Sequence, residues 1–372
     1  MPDKSVKEVL LEAARAAGFE LAGVAAVGDF PEHRQFEHWI ETGRAAEMGY
    51  MAARDEAGGL KRGSLGRVAP WARSVVVCAA NYNAAQPYSI HPYPTFVGDL
   101  PRGWIARYAW SREDYHDAVL RRLREVEGEL RSAFKSAATN DGSGNELITR
   151  CYVDTGPVAE RLYAKYAGIG WSGKNTCLIN QKMGSWLFLG VILTSLELPP
   201  DTPAPDRCGS CTRCIDACPT QAIVAAHELD ANLCISYLTI EKRGPIPEPL
   251  REGLGRHVFG CDICQDVCPW NRKAPVTSGA EFQPREGLVN PALEWLAEMD
   301  DAGFREVFRG SPVRRAKRQG LRRNAALAMG NSGEARFLPV LRKMEGEEDT
   351  VVADAAKWAA AKIRSKTATD VG

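Results

Sequence analysis

An excess of charge of one sign is missing from this 372-residue sequence, in which 47 Lys and Arg balance 47 Asp and Glu. No field of the whole molecule therefore draws it to nucleic acid, and such a contact has to come from local clustering. Long apolar runs are missing too. The longest, Trp186–Leu193, is far too short to cross a bilayer and reads as a buried strand. Near the N-terminus, Val9–Leu11 are flanked by Lys7, Glu8 and Glu12, and neither a secretory apolar stretch nor a twin-arginine signal follows. The expectation is a cytoplasmic protein with no membrane partner. With 45% hydrophobic and 25% charged residues, the chain suits two or three folded domains.

Cysteine is abundant. Eight of the 11 cysteines fall between Cys208 and Cys268. In a cytosolic chain such crowding points to metal ligation rather than disulfides. Cys78, Cys151 and Cys177 are scattered and read as small core residues.

Periodicity organises the rest. Val6, Val9, Leu10 and Ala13 share a helical face, and Ser74–Ala80 is a buried strand. Val119, Leu123, Val126, Leu130 and Phe134 predict an amphipathic helix over 113–136. Cys151–Val153 is a short strand, Pro157 suits the first turn of a helix, and Trp186–Leu196 is a further strand. The stretch from Asn81 to Tyr115 is irregular and rich in Pro, Tyr and Trp, and either lines a site or covers a core edge. Leu198–Pro205 carries four prolines and reads as a linker. Asn324–Gly330 matches Ala355–Ala361 at an offset of 31 residues, which suggests paired helices close to a helical repeat.

Cys208, Cys211, Cys214 and Cys218, followed by Pro219, have the spacing of a bacterial ferredoxin run, whose fourth cysteine serves the other cluster. Three closely spaced thiolates can wrap one iron–sulfur cube, and the fourth lies beyond a turn. Cys261, Cys264 and Cys268 form a shorter run before Pro269, and Cys234 lies 27 residues upstream of Cys261. The exchange rule then predicts one [4Fe-4S] cluster on Cys208, Cys211, Cys214 and Cys268, and a second on Cys218, Cys234, Cys261 and Cys264. The alternative, two zinc sites with four cysteines each, suits this spacing poorly.

Two clusters serve either a plain electron carrier or a catalytic centre, and about 200 residues ahead of the module favour the second. Asp154–Pro157, Glu160–Arg161, Ala167–Asn175, Cys208–Cys211, Cys234–Glu241 and Gly260–Pro269 together resemble epoxyqueuosine reductase. The resemblance covers nearly the whole chain. It implies an α+β architecture: a nitroreductase-like cobalamin-binding α/β domain over 1–200, a ferredoxin-like two-cluster module over 201–275, and C-terminal HEAT-like α-helical repeats over 276–372. It further implies a cobalamin-dependent enzyme, related to reductive dehalogenases, that removes the epoxide oxygen of epoxyqueuosine in a tRNA anticodon. None of the six histidines lies in the Asp-x-His-x-x-Gly run that ligates cobalt in another class of cobalamin proteins.

By the same resemblance Asp154 is the proton donor. Read from its neighbours alone, it is rather an ordinary acid at a helix N-terminus before Pro157. Proton donation requires a raised pKa, which desolvation by the corrin and apolar walls would supply. Arg62, Asp154, Leu178, Leu189, Ser236 and Asp262 match cobalamin contacts. Ala106 stands where some members have a cysteine. Arg314, Arg315, Lys317, Arg318, Arg322 and Arg323 put six basic residues within ten positions, a candidate tRNA surface with Lys242 and Arg243 as a second. Aromatic residues from Tyr82 to Trp110, Trp104 and Tyr108 among them, are candidate stacking surfaces for a splayed nucleoside. The expected partners are tRNA carrying epoxyqueuosine and an electron donor of the flavodoxin or ferredoxin type, with the enzyme a monomer. The competing readings are a reductive dehalogenase-like enzyme on a small molecule and a ferredoxin-type carrier without cobalamin.

Overall fold

The computed structural model describes residues 4–90, 101–141 and 146–369. It contains two compact units, each assembled from separated stretches of chain. The first comprises Met1–Asn83, Tyr115–Cys211 and Pro269–Glu281, and the second Ala84–Asp114, Thr212–Cys268 and Phe282–Gly372. The division cuts the cysteine-rich segment after Cys211 and again after Cys268.

The first unit is built on an antiparallel four-stranded sheet, ordered Leu21–Ala26, Ser74–Asn81, Leu187–Thr194, Thr149–Tyr152. Every residue of Ser74–Asn81 is buried, so this strand is covered on both faces rather than alternating. On one face Val75, Val77, Ala79, Val191 and Leu193 pack with Tyr163 and Ala164 of the Glu160–Tyr166 helix. The other face meets the Tyr115–Asp141 helix, whose Val119, Leu123, Val126 and Leu130 are fully buried, as their spacing predicts. Gly190 permits that approach, because a Cβ there would stand 2.6 Å from Leu123 Cδ1.

One local expectation changes, and another gains detail. The linker Leu198–Pro205 is anchored to the sheet. Leu198 N donates to Ser74 Oγ at 2.9 Å, Asp201 N donates to Val24 O at 2.8 Å, and Asp201 Oδ2 accepts from Val24 N at 2.8 Å. The proline-rich segment is therefore tied to the edge of the sheet. Pro157 does not open a helix, since the helix starts at Glu160 after a run of bends.

In the second unit, Trp104–Ile105 pairs in parallel with His257–Phe259, and Ile223–Ala225 forms a small hairpin with Glu228–Leu229. Short helices Arg213–Asp216, Ile235–Ile240 and Ile263–Asp266 carry the cysteine segments. The tail is helical, and its Lys317–Ser332 helix is buried continuously from Gly320 to Gly330. That helix packs closely on Thr350–Thr369: a Cβ on Gly330 would lie 2.7 Å from Ala359 Cα. Gly330→Ala is expected to cost about 1–3 kcal/mol by overpacking. Gly128→Ala, on an exposed helix position with nothing within 4 Å, should instead stabilise by about 0.5–1 kcal/mol. Urea unfolding midpoints of the two variants test the pair; equal shifts would refute it.

Candidate functional site

Asp154 lies just beyond the edge strand Thr149–Tyr152, at a left-handed backbone position with φ of 55°. An L-residue held there is strained, and such strain gathers at functional sites. Thr155 N donates to Val153 O at 2.6 Å, which tightens the bend. Asp154 neither starts nor caps the following helix, whose capping residue is Ala159, so the helix-acid reading fails. Its side chain is 69% accessible although protein atoms surround it closely, as for a group in an open recess.

Two side chains from the neighbouring helix hold the carboxylate. Tyr115 Oη donates to Asp154 Oδ2 at 2.9 Å, and His116 Nε2 lies 3.8 Å from the same oxygen. Burial pushes Asp154 up, but the interactions with His116 and Tyr115 outweigh it and leave the carboxyl below its ordinary value. In the chain by itself, the charge-favouring partners win over burial. Glu160, the first residue of the following helix, behaves in the opposite way. Burial pushes it up to about 7, and the Asp154 charge adds to the effect against Arg62 and Arg161. Glu160 Oε1 is buried with no hydrogen-bond partner. Two neighbouring carboxyls whose environments drive them apart are the usual arrangement of a proton-transfer site.

Arg62 belongs to this cluster: its Nη1 donates to Val158 O at 3.2 Å, and its charge acts on Glu160. Leu178 is 4% exposed within the apolar cluster that includes Val158, and Leu189 is half-buried against it.

The cysteine loops are held by side chains from elsewhere in their own units. In the first unit, Lys174 Nζ donates to Gly209 O at 2.7 Å and to Cys211 O at 3.0 Å. Trp171 Nε1 points to Cys208 Sγ at 3.5 Å, and the Trp171 ring makes an edge contact with Trp270. In the second unit, the helices carrying Cys214 and Cys264 pack together. Cys218 Sγ accepts from Ala222 N at 3.2 Å. Burial drives the Cys261 thiol well above its ordinary range, and nearby Cys234, Asp262 and Cys218 add to the effect, so three of the thiols expected on the second cluster lie within electrostatic reach. Among the described residues no three His, Cys, Asp or Glu are gathered closely enough for a single metal ion. A four-iron cage needs its thiolates spread around a cube.

Asp262 is 2% exposed and its Oδ2 accepts from Trp104 Nε1 at 3.0 Å and Arg107 N at 2.7 Å, so that oxygen serves the fold. Ser236 is half-buried in the helix after Cys234. Trp104 and Trp110 are at most 1% exposed and cannot stack on a nucleoside; Tyr108 is half-buried. Tyr93 and Phe96, in the same aromatic stretch, lie outside the described residues.

The basic segment divides. Arg322 pairs with Glu347 through two bonds, at 2.6 and 2.5 Å, and also donates to Ala297 O at 2.6 Å. Arg323 is 1% exposed. These two are withdrawn from the expected tRNA surface, because the fold consumes their guanidinium groups. Arg315 pairs with Glu241 at 2.9 Å and Arg318 with Asp301 at 2.7 Å, both on the surface. Arg243 reaches Glu241 at 3.8 Å; Lys242 and Arg243 are half-buried, and Lys317 is exposed.

Two family models match the sequence. One, described as a 4Fe-4S double cluster binding domain, covers residues 207–271. The other, epoxyqueuosine reductase QueG, DUF1730, covers residues 62–155. The epoxyqueuosine reductase of Xanthomonas campestris pv. campestris is 37% identical over 349 residues, which are 94% of this chain and 93% of that protein. The chain belongs to the epoxyqueuosine reductase family. It is accordingly an oxidoreductase. Its fold is similar to that of an epoxyqueuosine reductase crystallised with an epoxyqueuosine-modified tRNA-Tyr stem loop, at a TM-score of 0.83 and 30% identity, covering 96% of this chain and 90% of that one. It is equally similar to the Bacillus subtilis epoxyqueuosine reductase with an aspartate-bearing catalytic loop swung out of the active site, at a TM-score of 0.82 and 30% identity, again over 96% and 90%.

For this epoxyqueuosine reductase family member, sequence reasoning missed Tyr115, His116 and the protonation of Glu160. Glu160 stands in one of the motifs that carried the resemblance, but its burial has no sequence signature. The raised Glu160 pKa gives a signed stability test. Between 4.5 and about 7 the folded state binds this proton more than the unfolded state does, so stability falls at Glu160's expense as pH rises. The stability of Glu160→Gln minus that of the parent chain should therefore grow across this window and stay flat above it. Urea unfolding at stepped pH measures the difference; a difference constant with pH contradicts the assignment.

Proposed function

We propose that this enzyme reduces epoxyqueuosine to queuosine in a tRNA anticodon, using cobalamin supplied with electrons by two [4Fe-4S] clusters. What carries the reading is kinship with epoxyqueuosine reductases over 94% of the chain. The local chemistry agrees with it. Converting the epoxide to an alkene consumes two electrons and two protons and releases the oxygen as water. Clusters of this type pass electrons singly. Cluster one is assigned to Cys208, Cys211, Cys214 and Cys268, and cluster two to Cys218, Cys234, Cys261 and Cys264. The mutual influence of Cys218, Cys234 and Cys261 supports the second set. A desolvated thiol is stabilised by exchanging its proton for iron.

Cobalamin, when bound, supplies a strongly reducing cobalt centre. The residues assigned to hold it are Arg62, Asp154, Leu178, Leu189, Ser236 and Asp262. The Arg62–Glu160 neighbourhood suits a corrin with amide-bearing edges: it pairs a guanidinium with an unpartnered buried carboxyl oxygen. Asp154 delivers a proton to the epoxide oxygen. In the open recess Tyr115 and His116 favour its ionised form, so bound ligands must exclude water and raise it before it can act as an acid. Glu160, pushed up to about 7 by burial, holds a second proton in the neighbourhood of Asp154. A movable aspartate-bearing catalytic loop in the Bacillus subtilis relative is in keeping with this role for the strained Asp154 bend.

Arg314, Arg315, Lys317 and Arg318, with Lys242 and Arg243, are proposed to meet tRNA phosphates. We further assign a nitroreductase-like cobalamin domain to 1–200, a ferredoxin-like module to 201–275 and a HEAT-like tail to 276–372. The enzyme is a cytoplasmic monomer served by a flavodoxin- or ferredoxin-type donor.

The deciding experiment is an anaerobic assay with cobalamin, reductant and epoxyqueuosine-containing tRNA, with halogenated small molecules in parallel. Queuosine should form and halide should not; the reverse result refutes the substrate. Asp154→Asn should bind cobalamin normally by its absorption bands yet lose about 100-fold or more in kcat. Near-parental turnover would remove Asp154 from the mechanism. Arg314→Ala with Lys317→Ala should weaken stem-loop binding and reduce its salt slope by about 2. An unchanged slope would place the phosphate contacts elsewhere.

A further inference from the structure

We propose that Arg323 and Asn324, inside the basic segment of the tail, are positioning residues for cluster two. Both are buried, at 1% and 0% exposure. The Arg323 guanidinium donates to three main-chain carbonyls: Leu238 O at 2.7 Å, Lys242 O at 2.9 Å and Gly244 O at 2.7 Å. It also donates to Asn324 Oδ1, from Nε at 3.0 Å and from Nη2 at 2.9 Å. That contact orients the Asn324 amide, whose Nδ2 donates to Thr239 O at 2.9 Å and to Val258 O at 2.8 Å.

These carbonyls belong to the two segments that present Cys234 and Cys261. Cys234 is the capping residue of the Ile235–Ile240 helix, and the last carbonyls of any helix lack partners within it. Arg323 and Asn324 supply those partners, and a cation at a helix C-terminus also opposes the local dipole. Val258 lies in the strand that leads through Gly260 into Cys261. Asn324 thus bonds both segments with one amide group. Thr239 Oγ1 closes the same joint, accepting from Gly260 N at 2.9 Å and donating to Ile235 O at 2.7 Å. Gly260 has φ of 70°, and a Cβ there would lie 2.5 Å from Ala106 Cβ, so the backbone before Cys261 is confined on that side as well.

The Ile235–Ile240 helix has six residues and the His257–Phe259 strand three. Elements this short do not hold themselves, and a cage of iron and sulfide tolerates little error in thiolate placement. The tail therefore sets the separation of Cys234 from Cys261, and two of its polar residues act on the metal site rather than on tRNA.

This inference rests on the assignment of Cys234 and Cys261 to one cluster, and the experiment separates the two. Full-length Arg323→Lys, Asn324→Ala and Cys234→Ser proteins are reconstituted anaerobically with iron and sulfide. Iron per chain, the electron paramagnetic resonance of the reduced clusters, their midpoint potentials and the affinity for an unmodified tRNA stem loop are then measured. Cluster one is the internal control. Arg323→Lys and Asn324→Ala should alter or remove one cluster signal, the one lost in Cys234→Ser, and move its midpoint, with the other signal unchanged and stem-loop affinity within about 2-fold. If Cys234→Ser leaves both signals intact, the ligand assignment itself fails. If it removes one signal that both tail variants keep with an unchanged midpoint, only the positioning role fails. Loss of both signals together in the tail variants also overturns it, since that is general destabilisation.

Discussion

Backbone carbonyls and thiols in the cysteine-rich loops have few regular partners of their own, and the metal-binding part of the molecule depends on cations and amides that reach them from distant segments. Lys174 holds the Cys208–Cys211 turn through two carbonyls. Arg323 and Asn324 hold the segments around Cys234 and Cys261 through five. Buried polar groups are costly unless they are all satisfied, so each such network specifies one loop conformation and penalises the alternatives. Two short cysteine runs become geometrically defined sites in this way without long helices or strands.

The recess around Asp154 follows a different physical logic. Its carboxylate is accessible, accepts from Tyr115 and lies near His116, while half-buried Glu160 has an unpartnered oxygen. Ionisation is favoured at one carboxyl and opposed at the other. A two-proton reduction can use both states, one group delivering at the reacting oxygen and the other storing a proton at neutral pH. The sheet makes the arrangement possible: the strand bearing Cys151 and Tyr152 ends at the bend, and the Glu160–Tyr166 helix is packed onto the buried face with Val75 and Val77.

Much of the fold was legible along the chain. The stripe from Val119 to Leu130 and the continuous apolar strand Ser74–Ala80 are local patterns, and both hold. The proline-rich segment after Leu198 reads as a linker from composition, but its anchoring through Asp201 to Val24 has no local signal. The basic segment was misread in part. Arg314 and Arg323 look alike in sequence, but one is at the surface and the other spends every donor group inside. Trp104 and Trp110 likewise suggested stacking surfaces and instead belong to the core.

By itself the sequence determined the metal chemistry and the family, because ligand identity and cysteine spacing are covalent properties of a short stretch. Tertiary structure alone decided which charged groups remain available and which carboxyl keeps its proton. Arg323 and the Leu238 carbonyl it binds are 85 residues apart, and Tyr115 and Asp154 are 39 apart. Burial and hydrogen-bond partners arise only when such segments meet, and those two quantities set both the pKa of a carboxyl and the destination of an arginine.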